Sequence, residues 1–422
     1  MDANGRIVSG KNGQQRSTSF KGNEKRISGL LSWPSRWMAG LTLLWGFLLV
    51  AHAQFPMPDD FSPDADHDAQ VLAAQGDGKI LLGGFFKMLG GQPRAYFGRL
   101  NPDGTLDAAF TPVADCAVEM GLVQDDGRIV IAGCFSSLNG QPRYHLGRLN
   151  PDGTLDTDFK ADVNYSCFIY SLCMQDDGRI LVGGDFHSLG GETRKCLGRL
   201  NADGTVDKGF TVSVEGSYPN SPVVDTLAVQ PDGKILVGGR FSSLGGQPRC
   251  NLGRLNVDGS VDMTFAPEAN DRVYGVTVQA DGGILLRGAF TTVNGQMRKY
   301  LTRIHADGIL DEKFDPASDG FLLSLALQSD GKILVAGDFT AIGGQLRRYF
   351  GRLNADGTLD SSFQPAEDQG IYSVVIQTDG KILLGGSFST LGGLPRKRLA
   401  RLNNTEPAVQ NLSYSGETIT WL

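Results

Sequence analysis

From residue 69 to about residue 402 the apolar and polar positions follow one pattern seven times over. Each copy opens with an apolar run, as in residues 321–328, which an Asp-Gly pair reverses into a second run, residues 332–337. A Gly-Gly or Asn-Gly pair then turns the chain again, followed by a stretch carrying two arginines, an Asn-x-Asp-Gly turn and a short segment ending in Asp-x-x-Phe. Aligned on Asp77, Asp126, Asp177, Asp232, Asp281, Asp330 and Asp379, the copies are 49, 51, 55, 49, 49 and 49 residues apart. Eight offsets from that Asp are invariant: Gln at −2, Gly at +1, Ile at +3, Gly at +7, Phe at +9, Gly at +14, and Arg at +17 and +22. Runs of this length bounded by turn residues predict four short antiparallel strands per copy. Only Gly and Asn occur at +13, as a two-residue hairpin with positive φ requires. The first two strands are nearly continuously apolar, which predicts units buried on both faces by their neighbours. The fold class is therefore all-β, a β-propeller with four-stranded antiparallel blades.

The phase of the repeat predicts how the array ends. Six copies close with Asp-x-x-Phe, at Phe110, Phe159, Phe210, Phe265, Phe314 and Phe363, whereas the seventh loses the pattern after Arg401-Leu402-Asn403. The missing piece, Asp59-Asp60-Phe61, precedes the first copy, and Phe61 lies 16 residues before Asp77, as Phe110 does before Asp126. An N-terminal strand closing the last blade makes seven blades and removes the sheet edges of an open stack.

Composition fits this. With 57 Gly, 18 Pro, 41% hydrophobic and 20% charged residues in 422, the chain is too apolar for disorder and too Gly-rich for a helical bundle. Residues 1–36 are polar and basic; residues 37–50 are apolar and are followed by Ala51-His52-Ala53. That is the layout of a signal peptide with a long basic region, and the apolar stretch is shorter than the ~20 residues of a bilayer span. Domains are thus expected at 1–53 (signal peptide), 54–404 (propeller) and 405–422, a strand–turn–strand tail that reads as the start of a further β-module. Localisation is expected to be secreted, periplasmic or at the cell surface. Residues 1–53 hold 7 Lys and Arg against 2 Asp and Glu, so the remainder holds 32 against 44, a net of −12. Such a surface repels nucleic acid.

The segments 230–241, Gln-Pro-Asp-Gly-Lys-Ile-Leu-Val-Gly-Gly-Arg-Phe, and 352–360, Arg-Leu-Asn-Ala-Asp-Gly-Thr-Leu-Asp, resemble the delta-60 repeat family of secreted bacterial β-propellers. The resemblance covers about residues 59–404. It implies a propeller of unassigned function, common in large surface-associated proteins, and carries no catalytic residues to transfer.

Candidate chemistry is sparse. The Asp-Gly and Asn-x-Asp-Gly turns resemble calcium loops in outline but lack the full spaced ligand set and closing Glu, so Asx-type turns are the simpler reading, with no cofactor and calcium the only ion suggested. The arginines at +17 and +22 have acidic partners at +26 or +30, which suits structural ion pairs. The Gln at −2 sit where they either ring the axis or satisfy backbone near the turn. All length variation falls in the crossover from one copy's Phe to the next copy's Asp, the longest being 211–225. On that side the residues five beyond each Phe are Asp66, Asp115, Asn164, Glu215, Asn270, Asp319 and Asp368, either an acidic collar or a set of local caps. With Tyr218 in the longest crossover, they form the candidate binding site. Six cysteines suit no zinc motif; buried free thiols are the favoured reading, and Cys116 and Cys167, which share an offset, are the first pair to test for a disulfide. The expected function is a non-enzymatic scaffold binding protein or glycan through the crossover face. The alternative is a carbohydrate- or polymer-active enzyme using Asp66, Asp115 or Asp368 at the axial mouth.

Overall fold

The computed structural model describes residues 57–163, 168–216, 221–365 and 367–404, together with the backbone of Leu412–Ser415 and Thr418–Trp421. The expected signal peptide, Asn164, Cys167 and Tyr218 lie outside the described residues. Among the described residues there are strands and turns and no helix.

Each copy builds the same sheet. In the sixth, Leu322–Leu327 pairs antiparallel with Ile333–Gly337, which pairs with Phe350–Leu353. The Gly-Gly pair closes a two-residue hairpin, Ala341–Ile342 against Gln345–Leu346, at φ 63° for Gly343 and 70° for Gly344. Left-handed φ is why only Gly and Asn stand there. The segment after the Asn-x-Asp-Gly turn is held to the third strand by one bridge pair, Leu353↔Leu359, and five other copies repeat it. In the last copy the corresponding partner is Pro58↔Leu402, with Asp59 N donating to the Arg401 carbonyl at 3.0 Å. The C-terminal hairpin pairs Leu412–Ser415 with Thr418–Trp421.

The core lies between copies. Seven apolar clusters are each drawn from two consecutive repeats, as in Val130, Ala132 and Leu146 with Phe159, Ile180 and Phe186. One of them joins the last repeat to the first: Leu383 and Leu399 with Phe61, Ile80, Leu82 and Phe86. Hydroxyls at −6 add lateral rungs between first strands: Ser171 Oγ accepts from Leu227 N, Thr226 Oγ1 from Val276 N, and Ser324 Oγ from Val374 N. Ser373 Oγ accepts from Val71 N at 2.8 Å, the same rung between repeats seven and one.

The arginines at +22 form one polar knot per repeat. Arg148 Nε donates to Asp156 at 2.8 Å, its guanidinium lies 4.6 Å over the Phe159 ring, and another N–H reaches the Ala202 carbonyl of the next repeat. A guanidinium can satisfy all three because its donors fan out in one plane. Burial alone would raise the Asp156 carboxyl; Arg148 and the turn N–H outweigh it and hold the group below the usual carboxylate range. In the last repeat Arg401 uses residues from the other end of the chain: Asp59 at 2.7 Å, the Phe61 ring at 4.8 Å and the Pro102 carbonyl at 2.6 Å.

Candidate functional site

The crossover side is built from the residues that flank each first strand. Rather than an open acidic collar, the carboxylates there are caps. Asp66 accepts from Lys87 N and Met88 N, Asp115 from Ser136 N and Ser137 N, Asp319 from Thr340 N and Ala341 N, and Asp368 from Ser389 N and Thr390 N, all between 2.8 and 3.0 Å. Asn270 makes the same pair with Thr291 N and Thr292 N. Each pins the crossover to the short hairpin of its own repeat. Burial pushes these four carboxyls up, but hydroxyls of Ser136, Thr340 and Ser389 on three of them and the N–H donors on all four outweigh it and keep them below the ordinary range, so none is poised to donate a proton. Glu215 pairs instead with Lys195 at 2.7 Å, and its strand, Val214–Glu215, adds an edge to the Ser243–Leu244 hairpin.

The Asp-Gly turns are Asx turns: Asp103 Oδ1 accepts from Thr105 N and Oγ1, and Asp77 Oδ1 from Lys79 N. The Gln at −2 face the arginine knots; Gln124, Gln175, Gln230 and Gln279 each accept from the +22 arginine of their repeat. The cysteine expectation is corrected: Cys116 bonds Cys134 of its own repeat, at a Cα–Cα distance of 5.5 Å. The two meet at one end of the paired first and second strands, Cys116 before the first and Cys134 after the second, which the shared offset with Cys167 does not reveal.

What is chemically varied is a different row. Seven residues before each reference Asp, on the first strand near the crossover side, stand Gln70, Glu119, Tyr170, Asp225, Tyr274, Leu323 and Tyr372. This row mixes acids, an amide, aromatics and an aliphatic. Tyr170 and Leu323 are exposed and Glu119, Tyr274 and Tyr372 half-buried. Side chains from neighbouring rows complete the rim. Arg272 grips Asp225 with two bonds of 2.6 Å across the junction of repeats four and five and lies 5.3 Å from the Tyr274 ring and 5.9 Å from that of Tyr170. Hydrogen bonds to Asp225 hold Arg272 above its usual pKa, while burial pushes the Asp225 carboxyl up against the pull of Arg272. Tyr170 stacks on Phe168 at 6.2 Å, and Phe321 takes Tyr274 and Tyr300 edge-on at 6.3 and 5.0 Å. Burial pushes the Glu119 carboxyl up, with His145 pulling the other way.

The backbone helps to aim this rim. At +19 all seven repeats place a non-glycine residue at left-handed φ: Tyr96, His145, Cys196, Asn251, Tyr300, Tyr349 and Arg398, at 59° to 68°. Each donates its N–H to the +9 Phe carbonyl and accepts from the +7 Gly, which fixes the inversion despite its cost of about 1 kcal/mol per residue. Several of these side chains then reach the next repeat, as Tyr300 reaches Phe321 and Arg398 reaches Asp68 at 3.7 Å.

Sequence reasoning sought invariance and insertions and so passed over this rim. The usable signal was the opposite, an offset whose chemistry changes along the array inside an otherwise constant frame. Among the described residues no helix is long and apolar enough to cross a membrane, and no cluster of His, Cys, Asp or Glu has the form of a metal site.

Two solved structures share this arrangement. The chain is 16% identical to a streptogramin B lyase structure, with a TM-score of 0.51 over 82% of this chain and 97% of that one. It is 14% identical to the WD40 β-propeller domain of Doa1, with a TM-score of 0.52 over 83% and 97%. At these identities the likeness extends to the fold alone. No curated protein matches the chain. Residues 75–110, 124–159, 175–210, 230–265, 279–314, 328–363 and 377–405 each match the family described as a domain of unknown function (DUF5122) β-propeller. Those seven segments are the repeats read from the periodicity, and with them this chain belongs to that family of β-propeller repeat proteins.

Proposed function

We propose that the chain is an exported, non-enzymatic binding scaffold of the delta-60 kind. Residues 54–404 form seven four-stranded blades, the N-terminal segment supplies the outer strand of the last, residues 1–53 direct export, and 405–422 begin a further β-module. The contacts of Asp59, Phe61, Ser373 and Arg398 between the first and last repeats support closure. The Cys116–Cys134 disulfide supports an oxidising compartment.

The observation that carries the binding reading is the rim row. Where seven copies hold their framework constant, the side chains that vary stand on the first strands near the crossover side and include Tyr170, Tyr274 and Tyr372, with the Asp225–Arg272 pair beside Tyr170 and Tyr274. Of the two expected partner classes, this favours a glycan. Aromatic faces accept the C–H face of a pyranose, while a fixed ion pair offers donors and acceptors to its hydroxyls. The longest crossover, which carries Glu215 and Tyr218, is a further candidate contact.

A glycan array probed with the full chain tests this. Saturable binding that falls at least tenfold in Tyr170→Ala and Tyr274→Ala, with unfolding temperatures unchanged, is expected. Binding unaffected by both, or no binding to any glycan, would overturn the reading.

A further inference from the structure

The fifth repeat breaks the frame at two offsets at once. At +6, on the second strand, six copies hold Gly83, Ala132, Gly183, Gly238, Ala336 and Gly385, and the fifth holds Arg287. Nothing larger than a methyl group fits in the others: a Cβ on Gly238 would lie 2.6 Å from Thr226 and 2.9 Å from Val273. At −6, six copies hold Val, Met, Ser or Thr, and the fifth holds Gly275, the partner of Arg287 across the two strands. A Cβ on Gly275 would stand 2.3 Å from Arg287 Nε, so the glycine is what lets the guanidinium pass. One substitution makes sense only with the other. Together they remove the Ser or Thr rung described above and put a cation in its place.

As a structural substitute that cation is poorly matched. Arg287 makes one hydrogen bond, NH1 to the Leu322 carbonyl of repeat six at 3.2 Å, and among the described residues no carboxylate is within ion-pair distance of it. Asp225 attracts it from repeat four, but both Asp225 oxygens are held by Arg272. Arg287 is half-buried, and desolvation pulls it down to about 10. Its other N–H donors make no hydrogen bond and are not among the buried unpartnered atoms, so an anion can complete the guanidinium. Its planar fork matches a carboxylate. Tyr274 is the neighbour of Gly275 in the chain, and Leu323 of Leu322, so the guanidinium lies beneath the rim row at repeats five and six.

Taking the glycan reading above as its basis, we propose that the mouth binds a carboxylated saccharide, with Arg287 receiving the carboxylate of one sugar and Tyr274 and Phe321 receiving the ring. The probes are an α-1,4-linked galacturonate trimer and its methyl ester, titrated calorimetrically against the full chain. The comparison is with the double variant Gly275→Ser/Arg287→Gly, which restores the pair that other repeats carry and rebuilds the lateral rung, and with Arg287→Lys. The wild-type protein is expected to bind the acid at least tenfold more tightly than the ester. The double variant is expected to bind both with the ester's affinity while unfolding at or above the wild-type temperature, and Arg287→Lys to keep part of the preference. Equal affinity for acid and ester, no binding of either trimer, or a preference that survives in the double variant overturns the assignment. Neutral glycans retained on the array in a Tyr274-dependent way would leave the scaffold reading standing without it, whereas an array with no glycan bound removes both.

Discussion

Replacing Phe61 by Ala tests the contact between the chain's two ends directly. Phe61 is 2% exposed, lies beneath the Arg401 guanidinium at 4.8 Å and packs with Leu383 and Leu399 of the last repeat and Leu82 and Phe86 of the first. Its ring also fills the space over Gly104, where a Cβ would come within 2.7 Å. Burial of an aromatic side chain, at roughly 25 cal/mol per Å², together with the cavity left behind, gives a loss of about 3–5 kcal/mol. The cation over its face adds about 0.5–1 kcal/mol. Phe265, at the equivalent place inside the chain under Arg254 at 4.2 Å, is the control. In urea unfolding followed by circular dichroism, Phe61→Ala and Phe265→Ala are expected to lose stability within about 1 kcal/mol of each other. If Phe265→Ala shows the full loss and Phe61→Ala less than about 1 kcal/mol, the N-terminal segment is an ornament on the last repeat rather than part of it.

Other expectations follow from single sites. Removing the Cys116–Cys134 bond, which spans 18 residues, is expected to cost about 3 kcal/mol by the chain-entropy estimate, read as a lower thermal midpoint in Cys116→Ser/Cys134→Ser. Asp319→Ala is expected to cost about 1–2 kcal/mol through two uncapped N–H groups, and to leave glycan binding unchanged; a binding defect at intact stability would restore the collar. Glu367 is half-buried with one carboxylate oxygen closed off and unpartnered, and desolvation raises its pKa to about 8. Because the folded value exceeds the unfolded one near 4.3, its contribution is full below pH ~4 and is lost as pH rises towards 8, so Glu367→Gln is expected to gain stability at pH 8 relative to pH 5. Asp156 has the opposite sign: its lowered pKa contributes above pH ~4 and is lost as pH falls, so Asp156→Asn is expected to destabilise at neutral pH and flatten the acid limb. Stability against pH by intrinsic fluorescence or circular dichroism checks both.

The architecture was legible because its signal is phase. Eight invariant offsets and a displaced Asp-Asp-Phe point to the segment that stands in for the seventh copy's last piece, and Asp59 lies against Arg401 at 2.7 Å. The pairing of the +22 arginines with acids was legible for the same reason, although their cation–π seat on the Phe ring and their reach to the next repeat were not. What one chain in isolation hides is contact between unlike offsets. Cys116 meets Cys134, and Asp115 meets Ser136 and Ser137, through strand pairing rather than through repeat equivalence. The acidic row read either as a collar or as local caps, and its oxygens are committed to backbone 21 and 22 residues away. The rim escaped because conformity was taken as the mark of importance, and Gly275 and Arg287 matter by not conforming.

The Asp59–Arg401 contact has a consequence for biosynthesis. Its two partners are 342 positions apart, so at roughly 5–20 residues per second the ribosome delivers the second about 20–70 s after the first. Throughout that interval the nascent polypeptide carries Phe61 uncovered at one end and a growing, unpaired margin at the other. Translocation in an extended form, with folding deferred until the last repeat has arrived, would spare it that exposure.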